Sequence, residues 1–239
     1  KRLRINSNGR LLFPKARQLL DQVREVESLF LNADGELTGE LHIGCSRTIG
    51  MYVLPSYLAE FKQHYPGINL QVSMANTRDL VEQLLSLSLD VAFVEGEVVE
   101  SSVLSSQLWR EDRMVVIARQ NHPLMEAEQV SYEDLGSYPW VSREHGSGTA
   151  SWVERQAQGK FTIKPEIILS DFEAIKSYVA NSDCLSCVSM SVIQNIPSHS
   201  VIALSAECFE FTRPLSWVVN DQKYQSHVFD LFRENLLTA

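Results

Sequence analysis

Apolar and polar residues change their spacing along the first half of the chain, and each change marks a new element. Short stretches that alternate or are continuously apolar predict strands, and stretches with apolar residues every three or four positions predict helices. The βαβαβ order predicts a parallel sheet with right-handed crossovers. The predicted elements are strand 40–45, helix 49–64, strand 68–74, helix 77–87 and strand 89–94.

A second series of strands and helices follows the letters WRED. Two α/β units in tandem, completed by a late strand and a final amphipathic helix, indicate a two-lobed α/β protein. In chain order the segments are RMVVIA, PWVS, helix 149–157, EIIL, helix 171–181, CLSCVSM, VIALSA, FTRPLSWVVN and helix 222–237.

The front of the chain carries a different periodicity, with apolar residues at spacings of 4, 3, 4, 3 and 4. This 3.5-residue repeat is typical of a coiled-coil seam and favours a long dimerising helix, although a helix packed on its own domain has a similar pattern. The polar stretch NADGELTGE then separates it from the body. The seam residues are Leu12, Ala16, Leu19, Val23, Val26 and Phe30.

Charge divides the chain in the same place. Residues 1–31 contain seven basic and three acidic side chains, a local charge of +4. Because the net charge of the chain is −9, the remaining residues together carry −13. The basic segment KRLRIN is suited to phosphate backbones, whereas the acidic body would be repelled by nucleic acid. These residues hold no recognition helix, so the part of a DNA-binding protein that reads bases would lie upstream of Lys1.

Three segments in a fixed order carry a resemblance to a known family. They are GELTGELHIGCSRTIGMYVLPSYLAEFKQHYPGINLQVSMANTRDLVEQLLSLSLDVAFVEG, then DRMVVIARQNHPL, then WVSREHGSGT. Together with the helix in front, this set resembles the LysR-type transcriptional regulators. The resemblance covers nearly the whole chain, although no single segment is diagnostic.

The resemblance implies a sensor of two Rossmann-like subdomains of the periplasmic-binding-protein type II kind, which binds a small effector between its lobes. Residues 1–7 would end the DNA-binding wing, and 8–34 would form the linker and dimerisation helix. Regulatory subdomain I would comprise 38–112 and 213–239, and subdomain II would comprise 113–212.

Two positions depart from the family pattern. The family usually has glycine before the Leu-Asp of the third strand, as a helix C-cap, and this chain has Ser88. Serine replaces glycine there only with some strain or with a different cap. The family often has a Gly-x-Gly turn where this chain reads NSDC, which puts the local shape of the second lobe in question.

Hydroxyl and amide side chains gather where predicted strands give way to helices. Ligands of parallel α/β sheets bind at the carboxyl ends of strands, where helix N-termini present free N–H groups. Serine and threonine at such positions also cap helices, and one hydroxyl can do both. The candidate effector-binding residues are Ser46, Thr48, Asn76, Thr77, Ser142, Ser147, Gly148 and Thr149.

Neutral hydroxyls and peptide N–H groups favour a small anion, either an inorganic oxyanion or a small carboxylate. Arg47 and Arg143 either add positive charge or lie on the surface. Glu95 and Glu144 would oppose an anion, and they are either solvated or paired with the arginines. The hydroxyl-rich set resembles family members that sense sulfur oxyanions, which makes a sulfur oxyanion the expected effector class.

Catalytic chemistry finds little support in the sequence. The six histidines have no helical metal-ligand spacing, and neither a G-x-S-x-G elbow nor a phosphate-binding glycine motif is present. We therefore expect no enzyme activity, no cofactor and no metal. Cys184 and Cys187 are interpreted as buried apolar thiols, with a redox or metal role as the alternative.

These patterns predict the effector-sensing and dimerising portion of a transcriptional regulator. Its expected partners are promoter DNA, through an upstream winged helix-turn-helix, a small anionic effector, and itself as homodimer or homotetramer. By hypothesis, effector binding closes the lobes and changes how dimers pack on DNA. No apolar run reaches the ~20 residues of a membrane span, and a cytoplasmic location is expected. The alternatives are a periplasmic solute-binding protein for a small anion and an enzyme on the same bilobal fold.

Overall fold

The computed structural model describes 205 of the 239 residues, and these divide into two compact units. The first unit holds the described residues of Lys1–Val94, Val98–Trp109 and Ser216–Ala239, and the second those of Glu95–Glu97 and Arg110–Leu215. The described residues are 6, 8–9, 12–13, 15–16, 18–20, 22–23, 26, 37–96, 102–194 and 200–238.

The first unit is built on the predicted parallel sheet. Strand β1 (Gly39–Cys45) pairs in parallel with β2 (Ile68–Met74) on one side and with β3 (Val91–Glu95) on the other. The strand order continues through β9 (Phe211–Asn220) to β4 (Leu104–Arg119). β2 is at the edge and is mostly exposed, whereas β3 is buried throughout, as its continuous apolar run predicts.

Helices α1 (Leu54–His64), α2 (Thr77–Leu85) and α7 (His227–Thr238) belong to the first unit. A π-helical turn at Ile49–Val53 precedes α1, so the predicted helix 49–64 is present but changes its winding after the first turns. Pro55 lies at the start of α1, where its missing N–H breaks no helical hydrogen bond.

The end of α2 shows how the chain manages without the family's glycine. Leu87 adopts the left-handed conformation with φ 58°, and the backbone N–H of Ser88 donates to the carbonyl of Gln83 at 3.0 Å. The Ser88 hydroxyl donates to the same carbonyl at 2.9 Å. The predicted alternative of a different cap therefore occurs at Ser88. The left-handed conformation falls on the preceding Leu87, where it costs an ordinary residue roughly 1–2 kcal/mol.

Two groups of side chains form the core of the first unit. Leu80, Leu84 and Leu89 pack with apolar residues from β3, β4 and β9. A second group is aromatic: the Phe61 ring lies 5.2 Å from Phe232 in an edge-on contact. Such aromatic pairs add about 0.5–1.5 kcal/mol to the burial of their area, so α1 and α7 are joined by both burial and ring geometry.

The second unit contains a mixed set of strands. The later half of β4 pairs antiparallel with β7 (Ser186–Ser189) and β8 (Val201–Ala203). A separate parallel pair joins β5 (Trp140–Arg143) to β6 (Pro165–Leu169). The strand predicted at RMVVIA is present but longer than predicted, because β4 begins at Leu104 and runs through WRED without interruption. Asp112 is tolerated inside that strand because it pairs with a buried arginine.

The helices of the second unit are α3 (Tyr132–Ser137), α4 (Gly148–Ala157), α5 (Phe172–Ala180) and α6 (Met190–Gln194). Trp140 is at the centre of the core, and its indole N–H donates to the carbonyl of Leu135 at 2.9 Å. In the NSDC turn, the backbone N–H of Cys184 donates to the Ser182 hydroxyl at 3.2 Å, which closes the turn without the family's glycines.

The front segment is described at scattered positions. Those between Asn8 and Val26 are helical, and Leu12, Leu19 and Val23 are more than half exposed. An apolar stripe left open within one chain is what a coiled-coil seam requires. Residues 1–5, Pro14, Phe30 and 31–36 lie outside the described residues, so the wing and the full length of the dimerising helix stay predictions.

Three of the four thiols are buried, and burial raises the pKa of all four. The raised pKa reaches about 12 for Cys45 and for Cys187, because a thiolate there would lose its hydration. A reactive redox cysteine needs the opposite environment, exposed and positively charged. The thiols of Cys184 and Cys187 therefore behave as apolar core groups.

We expect Leu80→Ala to lower the free energy of unfolding by about 2–5 kcal/mol, because it opens a cavity at a fully buried position. The matched control is Leu85→Ala on the same helix, where the side chain is 48% exposed and the loss should stay below about 1 kcal/mol. Urea unfolding followed by circular dichroism measures both. Equal losses would contradict the assignment of the inward face of α2.

We expect Cys45 and Cys187 to resist alkylation by N-ethylmaleimide in the native protein at pH 8, where a pKa of about 12 leaves roughly one thiolate in 10,000. Mass spectrometry of peptides gives the labelled positions, and guanidinium-unfolded protein, with all four thiols labelled, is the control. Peroxide should leave Cys184 and Cys187 unlinked. Rapid native labelling of Cys187 would restore the redox alternative.

Candidate functional site

The candidate residues of the first unit follow adjacent strands at one edge of the sheet. Cys45, at the end of β1, is in register with Met74 on β2 and with Phe93 on β3. The backbone N–H of Ser46 donates to the Phe93 carbonyl at 2.9 Å, and that of Ala75 donates to the Cys45 carbonyl at 3.1 Å. Ser46 and the start of α2 therefore emerge side by side at the carboxyl ends of parallel strands, as predicted.

Ser46 is the most informative of these residues. Its side-chain oxygen is buried and has no hydrogen-bond partner among the described residues, although the residue is the first to leave β1 for a helix. Its carbonyl accepts from Gly50 N–H at 2.8 Å. An unpaired buried hydroxyl costs about 1–3 kcal/mol, so its position calls for a partner that the chain does not supply.

The other three candidates of the first unit do not act as side-chain caps. Asn76 precedes α2 in an extended conformation and Thr48 precedes the π-helical turn, and neither makes a capping hydrogen bond with its side chain. Thr48 is buried, Thr77 is partly exposed and Asn76 is exposed. Arg47 is exposed next to Ser46. At this edge the capping interpretation therefore fails for Thr48 and Asn76.

In the second unit the candidates surround the start of α4. Ser142 is in β5, and the turn after it reverses through Gly146, whose φ of 85° favours glycine. The Ser147 hydroxyl accepts from the backbone N–H of Ala150 at 3.5 Å and is a true helix cap. His145, in the same turn, is exposed. Here the capping interpretation holds for Ser147.

Gly148 meets the protein's own negative charge. A Cβ at this position would lie 2.6 Å from Glu95 Oε2, so only glycine allows the carboxylate to approach the helix start this closely. A carboxylate at a helix N-terminus is favourable because it faces free N–H groups and the positive end of the dipole. Glu95 therefore occupies part of the field that an anionic ligand would otherwise use.

Thr149 belongs to a buried network centred on Arg213. The guanidinium donates through Nε to Asp112 Oδ2 at 2.8 Å, through Nη1 to Thr149 Oγ1 at 3.1 Å, and through Nη2 to Glu95 Oε1 at 3.4 Å. The Ser189 hydroxyl donates to the second oxygen of Asp112. All five side chains are buried. Two carboxylates thus share one guanidinium inside the second unit.

Sequence reasoning missed Arg213, Asp112 and Ser189. A signal was present: FTRPLSWVVN places one arginine in an otherwise apolar strand, and long charged side chains are rarely fully buried unless they are paired. The partner could not be read from the sequence, because Asp112 precedes Arg213 by 101 positions.

Arg143 is not free to attract a ligand. Its guanidinium donates to both oxygens of Glu144, at 2.7 Å and 3.0 Å, and lies 4.3 Å from the centre of the Phe172 ring. The side chain is 5% exposed. Of the two alternatives for these residues, pairing therefore holds for Arg143 with Glu144, and Glu95 likewise pairs with Arg213.

A small cavity of about 20 Å³ lies between β5 and α4. A cavity of this size holds one water-sized group. It therefore has room for a single oxygen atom rather than for a whole oxyanion. Its lining includes Ser142, Arg143, Thr149, Glu154 and Cys187.

Two other kinds of site were sought in the part of the chain that the structure describes. There, no three His, Cys, Asp or Glu side chains are grouped so that they could hold a metal ion. None of the described helices has both the length and the apolar character needed to cross a bilayer.

Comparison with known proteins agrees with this architecture. The family model described as LysR substrate binding domain matches residues 34–239. The chain is 37% identical over 236 residues to the uncharacterized HTH-type transcriptional regulator YeiE of Escherichia coli (strain K12). The aligned region covers 97% of this chain and 78% of that protein. It is 31% identical over 212 residues to the HTH-type transcriptional regulator CysL of Bacillus subtilis (strain 168), covering 88% and 71% respectively.

A solved structure shows the same fold. The regulatory domain of CcmR from Synechocystis PCC6803, in complex with 2-PG, superposes with a TM-score of 0.77 at 26% identity, over 84% of this chain and 97% of that one. The match confirms the α/β fold of the periplasmic-binding-protein type II kind, and the members of the matched family are regulators of transcription rather than enzymes. The chain therefore belongs to the LysR family of transcriptional regulators and contains their effector-binding domain.

Proposed function

We propose that this chain senses a small anion, with a sulfur oxyanion as the expected class, and passes the signal to promoter DNA. The observation that carries the proposal is the buried, unpaired hydroxyl of Ser46 at the carboxyl ends of three parallel strands. A hydroxyl in that place is stabilised when a ligand oxygen accepts its proton. Exposed Arg47 beside it favours a ligand with negative charge.

The groups at the strand ends of the first unit suit a small anion. Ser46, Thr77 and the helix N-termini supply hydroxyl and N–H donors, which suit a compact oxyanion or carboxylate. Glu95 faces the start of α4, and a like charge nearby disfavours a second full charge there. That the anion lies between the lobes stays a prediction from the sequence.

Transmission of the signal rests on self-association. The exposed apolar stripe of the front helix, including Leu12, Leu19 and Val23, is suited to pairing with a second copy. The edge strand β2, with Val72 and Met74 exposed, is a second surface for contacts between dimers. An effector changes this packing only if it binds one arrangement of the subunits more tightly than another.

The remaining partners follow from family membership. Promoter DNA would be read by a winged helix-turn-helix upstream of Lys1, and a protein that acts on promoters works in the cytoplasm. Family membership also favours a regulator over the periplasmic solute-binding protein that the cleft chemistry alone left open.

We expect Ser46→Ala to separate stability from binding. Removing an unpaired buried hydroxyl should raise the free energy of unfolding without ligand by about 1 kcal/mol, and should weaken anion binding about tenfold because one hydrogen bond to a charged ligand is lost. Thermal shift against sulfite, sulfate, thiosulfate, phosphate, nitrate, formate and acetate gives both quantities, since a true ligand stabilises increasingly with concentration.

The matched control is Ser56→Ala, an exposed serine at the start of α1 whose hydroxyl donates to the carbonyl of Val53. It should retain the full anion-dependent shift. An equal shift in Ser46→Ala and the wild-type protein would remove Ser46 from the site. No shift of the wild-type protein with any of these anions would overturn the proposed ligand class.

A further inference from the structure

We propose that Arg213 is a positioning residue for the effector, because it fixes the hydroxyl of Thr149 as a hydrogen-bond donor. This inference rests on the proposed function and deepens it. Arg213 itself is completely buried and needs no contact with the ligand. Its effect passes through one atom, Thr149 Oγ1, to which its Nη1 donates at 3.1 Å.

The guanidinium is held in one orientation by acceptors on three sides. Asp112 Oδ2 lies 2.8 Å from Nε, and Glu95 Oε1 lies 3.4 Å from Nη2. Asp112 is in turn held by the hydroxyl of Ser189. A planar group bound along separate N–H directions cannot rotate without breaking a buried charged interaction, which costs about 3–5 kcal/mol. The N–H that meets Thr149 is therefore a fixed feature of the unit.

The chemistry of arginine then decides the direction of the Thr149 hydroxyl. A guanidinium has only donors, so the threonine oxygen must accept and its own proton must point elsewhere. Ser151, two residues along the same helix, uses its proton internally by donating to the Ser147 carbonyl at 3.3 Å. Among the described residues no acceptor is found for the Thr149 proton. That proton is therefore available to a ligand oxygen.

Thr149 borders the cavity between β5 and α4. Thr149 and Ser142 both line it, and its volume of about 20 Å³ admits one oxygen atom. A fixed donor at such a cavity donates its proton to an oxygen of an oxyanion or carboxylate. It leaves unpaired a ligand group that itself needs an acceptor. A threonine free to rotate would serve both kinds of ligand. Arg213 thereby contributes to selectivity as well as to affinity.

The test is a double-mutant cycle on the whole chain, with sulfite and sulfate titrated in turn by isothermal calorimetry. Arg213→Lys keeps the charge beside Asp112 but loses the planar fork that reaches Thr149. We expect it to weaken anion binding about tenfold in the wild-type background, and to have no further effect when Thr149→Val is already present. Thr149→Ser should restore binding, and Ser151→Ala should leave it unchanged.

A second variant protects the test against a folding defect. Ser189→Ala removes a hydrogen bond to Asp112 without changing any charge. It should weaken anion binding about threefold in the wild-type background and have no effect on binding when Thr149→Val is already present. The same loss in both backgrounds, for either variant, would show that Arg213 acts through the fold in general and would overturn the inference. Full anion affinity in Thr149→Val would overturn it as well.

The cycle also distinguishes this inference from the proposed function. If Ser46→Ala weakens anion binding while Thr149→Val does not, the sensing function stands and the role of Arg213 falls. If neither sulfite nor sulfate binds the wild-type chain, the sulfur-oxyanion class and the inference fall together.

Discussion

The guanidinium of Arg213 holds four segments of the second unit in one arrangement. It joins β9, on which it lies, to Asp112 on β4, to Glu95 at the end of β3, and to Thr149 at the start of α4. A charge buried this deeply destabilises the fold unless it is paired, and removal of one partner leaves the others as unpaired buried charges. The position of α4 relative to these strands therefore depends on electrostatics as well as on the apolar core.

The two sets of candidate residues differ in how they are satisfied. At the strand ends of the first unit, Ser46 is buried without a partner, and Asn76 makes no capping bond. At the start of α4, Ser147 caps the helix and Thr149 accepts from an arginine. Polar groups kept unpaired at a cost in stability are typical of functional positions. The first unit thus carries the stronger indication of a binding surface. In the second unit the candidate side chains are held in place by their own hydrogen bonds.

Local pattern predicted most of the elements. Strand 68–74 and the FTRPLSWVVN strand have their predicted bounds, and the parallel pairing of β1 with β2 and β3 follows from the order of strands and helices. Errors occur where a charged or small polar residue has a distant partner. The predicted strand RMVVIA leaves out the polar residues before it, whereas β4 extends back to Leu104, and the pairing of Asp112 with Arg213 makes a continuous strand possible there.

The sequence by itself predicted the α/β class and the strand ends at which hydroxyl groups gather, because periodicity and the order of elements are local properties of the chain, and the family followed from the resemblance of three segments. Only the tertiary structure decided which of those hydroxyls is unpaired, which caps a helix and which is held by an arginine. Hydrogen-bond partners more than a hundred positions apart, such as Arg213 with Asp112 or Glu95, are brought together by packing, and no spacing along the chain encodes them.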